Sequence, residues 1–180
     1  MANTLINSPI YRRLLRLIYL RNPVAYAKRI GVHVGEGTQF VTLPTFGSEP
    51  WLISIGNNTS ISSDVSFVTH DGGRWVLDRL YPQESPFYKI GKITIGNNCF
   101  VGMRVIIMPN VYIHDNCVIG GGSVVTKSIP EGQVWAGVPA RFICTIEDYR
   151  ERMLKYKKDI DWTAYWKDKE KEIKRVFEIE

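Results

Sequence analysis

The sequence predicts an all-β solenoid in which short strands and tight turns repeat along the chain. Two observations support this fold class: a six-residue period that runs from Ile95 onward, and Gly and Asn residues concentrated between its apolar positions. With 180 residues and 44% hydrophobic side chains, the chain can bury a core and form one domain.

Six consecutive hexapeptides carry the repeat, reading IGNNCF, VGMRVI, IMPNVY, IHDNCV, IGGGSV and VTKSIP. Their first positions are all β-branched: Ile95, Val101, Ile107, Ile113, Ile119 and Val125. The fifth positions are small or β-branched, and the positions between them favour Gly and Asn. This period fits neither the 3.6-residue period of an α-helix nor the simple alternation of a strand. It fits a strand followed by a turn, with three hexapeptides in each triangular coil and an aliphatic column inside.

The same period continues upstream with an interruption. Hexapeptides begin at Ile55, Ile61 and Phe67, and weaker ones begin at Val34 and Phe40. Ile95 follows Phe67 by 28 residues, which is not a multiple of six, so we expect a protruding loop at about 72–92. The aromatic side chains of this insertion favour an ordered loop over a flexible one.

The two flanking regions have helical character. Residues 8–30 place Leu14, Leu15, Ile18 and Tyr19 on one side and arginines on the other, and Pro23 is expected to break or kink this helix. Residues 146–180 predict one or two amphipathic helices. The predicted organisation is therefore an N-terminal helical cap over 1–30, a β-helix domain over 31–145 and a C-terminal helical segment over 146–180.

The N-terminal helix has two possible roles. Its apolar side can pack on the open end of the stacked coils, which need a cap, and this is the role we expect. Alternatively, a basic amphipathic helix of this kind makes peripheral contact with an anionic membrane surface.

Composition restricts the partners and the compartment. The net charge of +5 suits an anionic partner such as a nucleotide-bearing cofactor, and no nucleic-acid-binding motif accompanies it. Cys99, Cys117 and Cys144 form no metal-binding cluster, and their odd number indicates buried thiols in a reducing compartment. Without a long apolar run or a cleavable signal, we expect a cytoplasmic protein.

Residues 93–141 carry the motifs GGSVVTKSIP and AGVPAR, and there the sequence resembles the hexapeptide-repeat acyltransferases, in particular sugar and polysaccharide O-acetyltransferases. FVTHDGGRWV is similar to the capsular and surface-polysaccharide branch. The resemblance covers about residues 30–145 and implies a left-handed parallel β-helix. It also implies a homotrimer with active sites between adjacent prisms, and acetyl-CoA lying along the β-helix with no metal. Phe100 departs from the Trp that many relatives carry at this position.

Acetyl transfer from a thioester to a hydroxyl needs a base, and the pKa of histidine suits that role. His70 lies where the repeat breaks into the long loop, and it matches the family's catalytic His within THD, so it is the predicted general base. His33 and His114 lack such a context and are expected to be structural.

Two further groups of candidates surround this chemistry. Acceptor-binding candidates are Glu49, Asp71, Arg74, Trp75 and Tyr88. A dyad between Asp71 and His70 is not expected, because adjacent side chains of an extended chain point apart. Cofactor-binding candidates are Gly102, Gly120, Gly121, Ser123, Thr126, Lys127 and Arg141. The glycines allow close approach of a pantetheine arm, the family resemblance implies Ser123, Thr126 and Lys127, and Lys127 and Arg141 can neutralise phosphates.

The sequence thus predicts an acetyl-CoA-dependent O-acetyltransferase that acts on a sugar or a surface-polysaccharide precursor. An N-acetyltransferase acting on an amino-sugar nucleotide or an amino acid would use the same scaffold and base. A non-catalytic β-helix scaffold is disfavoured by His70 and by the intact tail motif. A zinc site of the γ-carbonic anhydrase type needs two closely spaced histidines, whereas successive histidines from His33 are separated by 37 and 44 residues.

Overall fold

The computed structural model describes residues 9–19, 22–84 and 89–179. Its strands are β1 (His33–Val34), β2 (Gln39–Phe40), β3 (Ile53–Ile55), β4 (Ser60–Ile61), β5 (Ser66–Phe67), β6 (Ile93–Ile95), β7 (Phe100–Val101), β8 (Ile106–Ile107), β9 (Val111–Ile113), β10 (Val118–Ile119), β11 (Val124–Val125), β12 (Gln133–Gly137) and β13 (Ala140–Thr145). Its helices are α1 (Pro9–Ile18), α2 (Pro23–Ile30), α3 (Arg74–Leu80), α4 (Ile146–Leu154), α5 (Trp162–Lys167) and α6 (Lys169–Phe177). The chain divides into two compact units between Ile146 and Glu147.

The strands of the first unit form three sheets with parallel pairing. Sheet 1 contains β1, β3, β6 and β9; sheet 2 contains β2, β4, β7, β10 and β12, with β13 added antiparallel; sheet 3 contains β5, β8 and β11. Successive strands pass from sheet 1 to sheet 2 to sheet 3, so three strands complete one coil and each sheet forms one face of a prism. The structure therefore has the parallel β-helix that the hexapeptide period predicts.

The first positions of the hexapeptides form the core of this prism. Ile95, Val101, Ile107, Ile113, Ile119 and Val125 are each at most 1% exposed. They stack in register, as Val101 does against Ile119 and Ile107 against Val125. The fifth-position residues are buried beside them. The predicted aliphatic column is confirmed.

The fourth position of most hexapeptides turns the corner. Asn58, Asp64, Asn98, Arg104, Asn110 and Asn116 have φ between 51° and 63°. Asn and Asp tolerate this left-handed region better than most residues, which explains their enrichment there. The corner side chains also bond between coils, since Asn98 Nδ2 donates to Asn116 Oδ1 over 2.7 Å.

Two insertions leave the coil. The predicted one contains helix α3, a feature that its Gly- and Pro-rich ends did not indicate. An ion pair of 2.8 Å between Arg74 and Asp78, four residues apart, accompanies that helix. A second and shorter insertion lies between Thr45, which bridges to sheet 3, and β3, and it includes a 3₁₀ helix at Pro50–Leu52.

The N-terminal end of the core is covered by α2. Tyr26, Ala27 and Ile30 of this helix are buried in the core cluster. Helix α2 starts at Pro23, and the side chain of Asn22 caps it by accepting from the Ala25 N–H over 2.9 Å. Leu14 and Ile18 of α1 are instead exposed, whereas Tyr19, which follows α1, packs against the core, so of the apolar side expected to form the cap only Tyr19 is seen to do so among the described side chains.

The second unit contains three helices where one or two were expected. Asp161 and Asp168 cap the N-termini of α5 and α6 with their carboxylates, and each cap begins a new helix. Glu172 is buried and accepts from the Arg175 guanidinium over 2.6 Å and from the Asp161 N–H over 2.8 Å. In the part of the chain that the structure describes, no helix has both the length and the apolar character needed to cross a bilayer.

Candidate active site

His70 lies at the base of the long insertion, just after β5. The two ends of the insertion pair there, because the Gly91 N–H donates to the Thr69 carbonyl over 2.9 Å and the Asp71 N–H donates to the Lys89 carbonyl over 3.0 Å. This pairing fixes the backbone of His70, which bridges to Ile90. The imidazole is partly exposed, with 39% of the side chain open to solvent. A reactant can therefore approach it.

Glu49 contacts the imidazole directly. Its Oε2 lies 2.9 Å from His70 Nδ1 and also accepts from the Thr69 hydroxyl over 2.6 Å. Ser48 Oγ lies 3.4 Å from the same ring nitrogen. An ionised carboxylate can only accept, so Nδ1 carries the proton and the lone pair of His70 is on Nε2. The arrangement prepares Nε2 to take a proton.

The pKa of Glu49 agrees with this assignment. Burial raises the pKa, but hydrogen bonds from Thr69, His70 and Ser48 lower it by more, so it lies below its ordinary value of 4.5. Glu49 is therefore ionised at neutral pH, and its negative charge can stabilise an imidazolium at His70.

The shorter insertion places Glu49 beside β5. Phe46 is buried and stacks on Phe67 with ring centroids 5.4 Å apart, which anchors the start of the insertion. Gly47 then turns with a φ of 64°, and the 3₁₀ helix begins at the buried Pro50. Glu49 lies between these two anchors, and its side chain makes no capping bond to that helix, so it is available to His70.

The other acceptor-binding candidates follow His70 on the insertion. The Asp71 carboxylate accepts from the Gly73 N–H over 2.8 Å, and Arg74 pairs with Asp78. Trp75 is exposed, and the Arg79 guanidinium lies 3.9 Å above its ring. Tyr88 falls outside the described residues. Among the described candidates, Glu49 bonds directly to His70.

The cofactor-binding candidates lie on two different edges of the prism. Thr126 and Lys127 follow β11 as Val68 and Thr69 follow β5, and both strands belong to sheet 3. We call this the histidine edge; Lys127 is two strands from Thr69, roughly 10 Å along the prism. Gly102, Gly120 and Gly121 follow strands of sheet 2 and define the glycine edge.

The glycine edge is a row of small residues that ends in a cation. The Gly102 N–H donates to the Ile119 carbonyl, and the Gly120 N–H donates to the Trp135 carbonyl, so Gly102, Gly120 and Ala136 stack. Arg141 pairs with Ala136 in the last strand of the sheet. A Cβ at Gly102 would lie 2.5 Å from the Gly121 nitrogen, so glycine is required there by the close approach of the coils.

Ser123 has its hydroxyl occupied inside the coil. The side chain is fully buried, donates to the Gly120 carbonyl over 2.6 Å and accepts from the Gly137 N–H over 3.0 Å. Any contact that Ser123 makes with a cofactor would therefore use its backbone. Thr126, Lys127 and Arg141 are exposed.

The sequence did not identify two residues of the histidine environment. Thr69 is buried and bonds to Glu49, and Ser48 approaches the ring. The alternation of Phe67 and Thr69 toward the interior was a signal for a buried threonine, but its partner comes from a different coil. Among the described residues, no three His, Cys, Asp or Glu side chains are arranged to hold a metal ion.

The sequence comparisons agree with this geometry. Residues 92–127 match the family model described as bacterial transferase hexapeptide (six repeats). Protein CapG of Staphylococcus aureus is 43% identical over 148 residues, covering 81% of this chain and 83% of that protein. The chain belongs to the hexapeptide transferase family.

Relatives in the hexapeptide transferase family extend this assignment. The galactoside O-acetyltransferase of Escherichia coli is 33% identical over 135 residues, covering 72% of this chain and 62% of that protein. A solved galactoside acetyltransferase in complex with coenzyme A matches with a TM-score of 0.57 at 28% identity, covering 79% of this chain and 82% of that one. As a hexapeptide transferase with these relatives, the protein is an enzyme of the acetyltransferase class, and the relatives imply a left-handed winding of its β-helix.

Proposed function

We propose that the protein transfers the acetyl group of acetyl-CoA to a hydroxyl of a sugar or a surface-polysaccharide precursor, with His70 as general base. The observation that carries this proposal is the Thr69–Glu49–His70 chain, in which Glu49 Oε2 accepts from both other side chains. It leaves Nε2 of a partly exposed imidazole as the free base.

The reaction follows from this arrangement. His70 Nε2 takes the proton of the acceptor hydroxyl as its oxygen attacks the thioester carbonyl carbon, forming a C–O bond and a tetrahedral intermediate. Collapse of the intermediate breaks the C–S bond. The leaving sulfur takes the proton back from the imidazolium, so the products are the O-acetyl ester and free coenzyme A. Glu49 keeps Nδ1 protonated and stabilises the positive ring between the two transfers.

The glycine edge and the cations support acetyl-CoA as the donor. A row of small residues allows a thin pantetheine arm to lie close to the backbone, and Arg141 stands at the end of that row. Lys127 is exposed on the other edge. Both side chains can pair with anionic phosphates. The coenzyme A complex of a related galactoside acetyltransferase agrees with this choice.

A homotrimer is part of the proposal. In one prism, the histidine edge and the glycine edge are separated by the whole of sheet 3. When two prisms lie side by side, the histidine edge of one can face the glycine edge of its neighbour, and cyclic symmetry then repeats this site three times.

Separate observations support the acceptor class and the compartment. Sugar acceptors are supported by the related galactoside O-acetyltransferase and by the exposed ring of Trp75, which suits the apolar face of a sugar. A cytoplasmic location is supported by three buried free cysteines. Coenzyme A release measured with sugars, nucleotide sugars, amino sugars and amino acids identifies the acceptor. Turnover with amines but not hydroxyls would contradict O-acetylation.

The decisive variant is His70→Ala. Because it removes the base, turnover falls roughly 10²–10⁴-fold while acetyl-CoA still binds, as measured by steady-state kinetics and calorimetry. His114→Ala is the matched control: this exposed ring stacks on Tyr112 on sheet 1, with centroids 3.9 Å apart, and we expect parent-like turnover. His70→Ala activity within a few-fold of the parent would remove His70 from the mechanism.

A further inference from the structure

Helix α1 presents an apolar face to solvent. Ile10, Leu14, Leu17 and Ile18 are 74%, 54%, 60% and 73% exposed. Their spacing of four, three and one residues puts them on one side of a helix. Tyr26, Ala27 and Ile30 of α2 already cover the N-terminal end of the β-helix core. The apolar face of α1 is therefore not needed as a cap.

The net positive charge of the protein lies in its first 35 residues, which include α1. Arg12, Arg13, Arg16, Arg21, Lys28 and Arg29 lie in the first 35 residues, which contain no Asp or Glu. The rest of the chain has 17 Lys and Arg residues against 18 Asp and Glu residues. The whole net charge of +5 therefore comes from the segment that carries the exposed apolar face.

We propose that α1 docks on an anionic lipid surface, with Ile10, Leu14, Leu17 and Ile18 inserted between the headgroups. Apolar side chains enter the interface, and flanking arginines pair with the anionic headgroups; this combination is what interfacial helices require. A second copy of the chain is a poorer occupant, because two segments of the same strong positive charge repel each other. The helix lies on the surface and does not cross it.

The test is flotation of the full-length protein with vesicles of phosphatidylcholine alone or mixed with phosphatidylglycerol. At low salt the protein floats with the mixed vesicles and stays behind with the neutral ones. High salt weakens the association, because screening reduces the attraction between the arginines and the headgroups. A parent protein that never floats with the mixed vesicles overturns the proposal, as does equal binding to both vesicle types.

Matched variants distinguish binding through the apolar face of α1 from nonspecific adsorption to the vesicles. Leu17→Glu lowers the partition coefficient about tenfold or more, because it puts a charge where a leucine is to be buried. Leu80→Glu changes a leucine of similar exposure, 63%, on α3 and leaves vesicle binding unchanged. Arg13→Gln weakens binding about fivefold through the loss of one cation. Equal binding by Leu17→Glu and the parent overturns the proposal.

Sedimentation velocity tests whether the apolar face of α1 instead contacts a second copy of the chain. Under the proposal, Leu17→Glu has the same oligomeric state and the same melting temperature as the parent. If this variant sediments as a smaller species, the face is an interface between copies and the lipid proposal is overturned. Vesicle flotation and sedimentation do not depend on acetyl transfer. A failure of the lipid proposal is therefore distinguishable from a failure of the proposed activity.

Discussion

Two donors share a single oxygen of Glu49, and this sharing determines the protonation state of the site. Thr69 Oγ1 and His70 Nδ1 both lie within hydrogen-bond distance of Oε2, at 2.6 Å and 2.9 Å. With Glu49 ionised, both must donate, and the imidazole is held in one tautomer and one orientation. We therefore propose that Glu49 positions His70, as an alternative to the acceptor-binding role that the sequence suggested.

Glu49→Gln tests this positioning role. The variant keeps the size of the side chain but loses the charge that stabilises the imidazolium, and its amide can pair with either tautomer. We expect kcat to fall roughly 10²–10⁴-fold with little change in the KM for acetyl-CoA. In ¹⁵N NMR spectra the His70 ring changes from the Nδ1–H form to a mixture. A raised acceptor KM with unchanged kcat would instead show that Glu49 binds the acceptor.

A matched pair of variants at Thr69 tests the second hydrogen bond to Glu49. Thr69→Val removes the hydroxyl at nearly constant volume, so Glu49 loses one donor and its pKa rises toward the ordinary value. We expect about tenfold lower kcat, restored in Thr69→Ser, which keeps the hydroxyl. Equal rates for the two variants would exclude a role for the Thr69 hydrogen bond.

At the scale of single elements, the hexapeptide period makes neighbouring residues very different in importance. Ile107 is fully buried in β8, whereas the preceding Ile106 points outward. Ile107→Ala leaves a cavity in the aliphatic column and lowers the free energy of unfolding by about 2–5 kcal/mol. Ile106→Ala costs about 1 kcal/mol or less. Urea denaturation of both variants checks this difference, and equal losses would contradict the assignment of the inward face.

The second unit contains an element whose stability depends on pH. The Arg175 hydrogen bond, followed by the Asp161 N–H, lowers the pKa of Glu172 from 4.5 to about 2. The stabilisation from the ionised carboxylate is therefore complete above about pH 4.5 and is lost as pH falls toward 2. Protection factors of the 161–177 amides should fall over this window. Glu172→Gln should show low protection at every pH, and a parent-like profile for it would refute the assignment.

Sequence reasoning succeeded where structure is local and periodic. The inward residues of each coil, the Asn and Gly corners and the position of His70 at the break all follow from spacing along the chain. Helix α3 was missed because Gly and Pro at the ends of its insertion obscured a seven-residue helix. The Glu49–His70 contact was missed because its partners are 21 residues apart and meet only when two coils stack.

At the scale of the whole molecule, the two prism edges predict an active site shared between protomers, which single variants do not test. His70 lies on one edge, and Gly121 lies on the other, across sheet 3. If each active site combines the histidine edge of one protomer with the glycine edge of its neighbour, then two different inactive variants can complement each other. Gly121 is the glycine of this edge at which a blocking side chain needs the smallest adjustment: an added Cβ would lie 3.2 Å from the Met103 carbonyl, against 2.5 Å and 2.8 Å from the nearest atoms at Gly102 and Gly120.

His70→Ala and Gly121→Trp are each expected to be nearly inactive as pure proteins. In trimers that contain both chains, one site unites an intact His70 from the Gly121→Trp chain with an intact Gly121 from the His70→Ala chain. Co-expression in equal amounts should therefore restore about a quarter of the sites, whereas mixing two preparations of His70→Ala should restore none. Coenzyme A release measures the activity, and sedimentation measures the trimer. An active monomer, or mixed trimers without activity, would show that both edges do not meet between protomers.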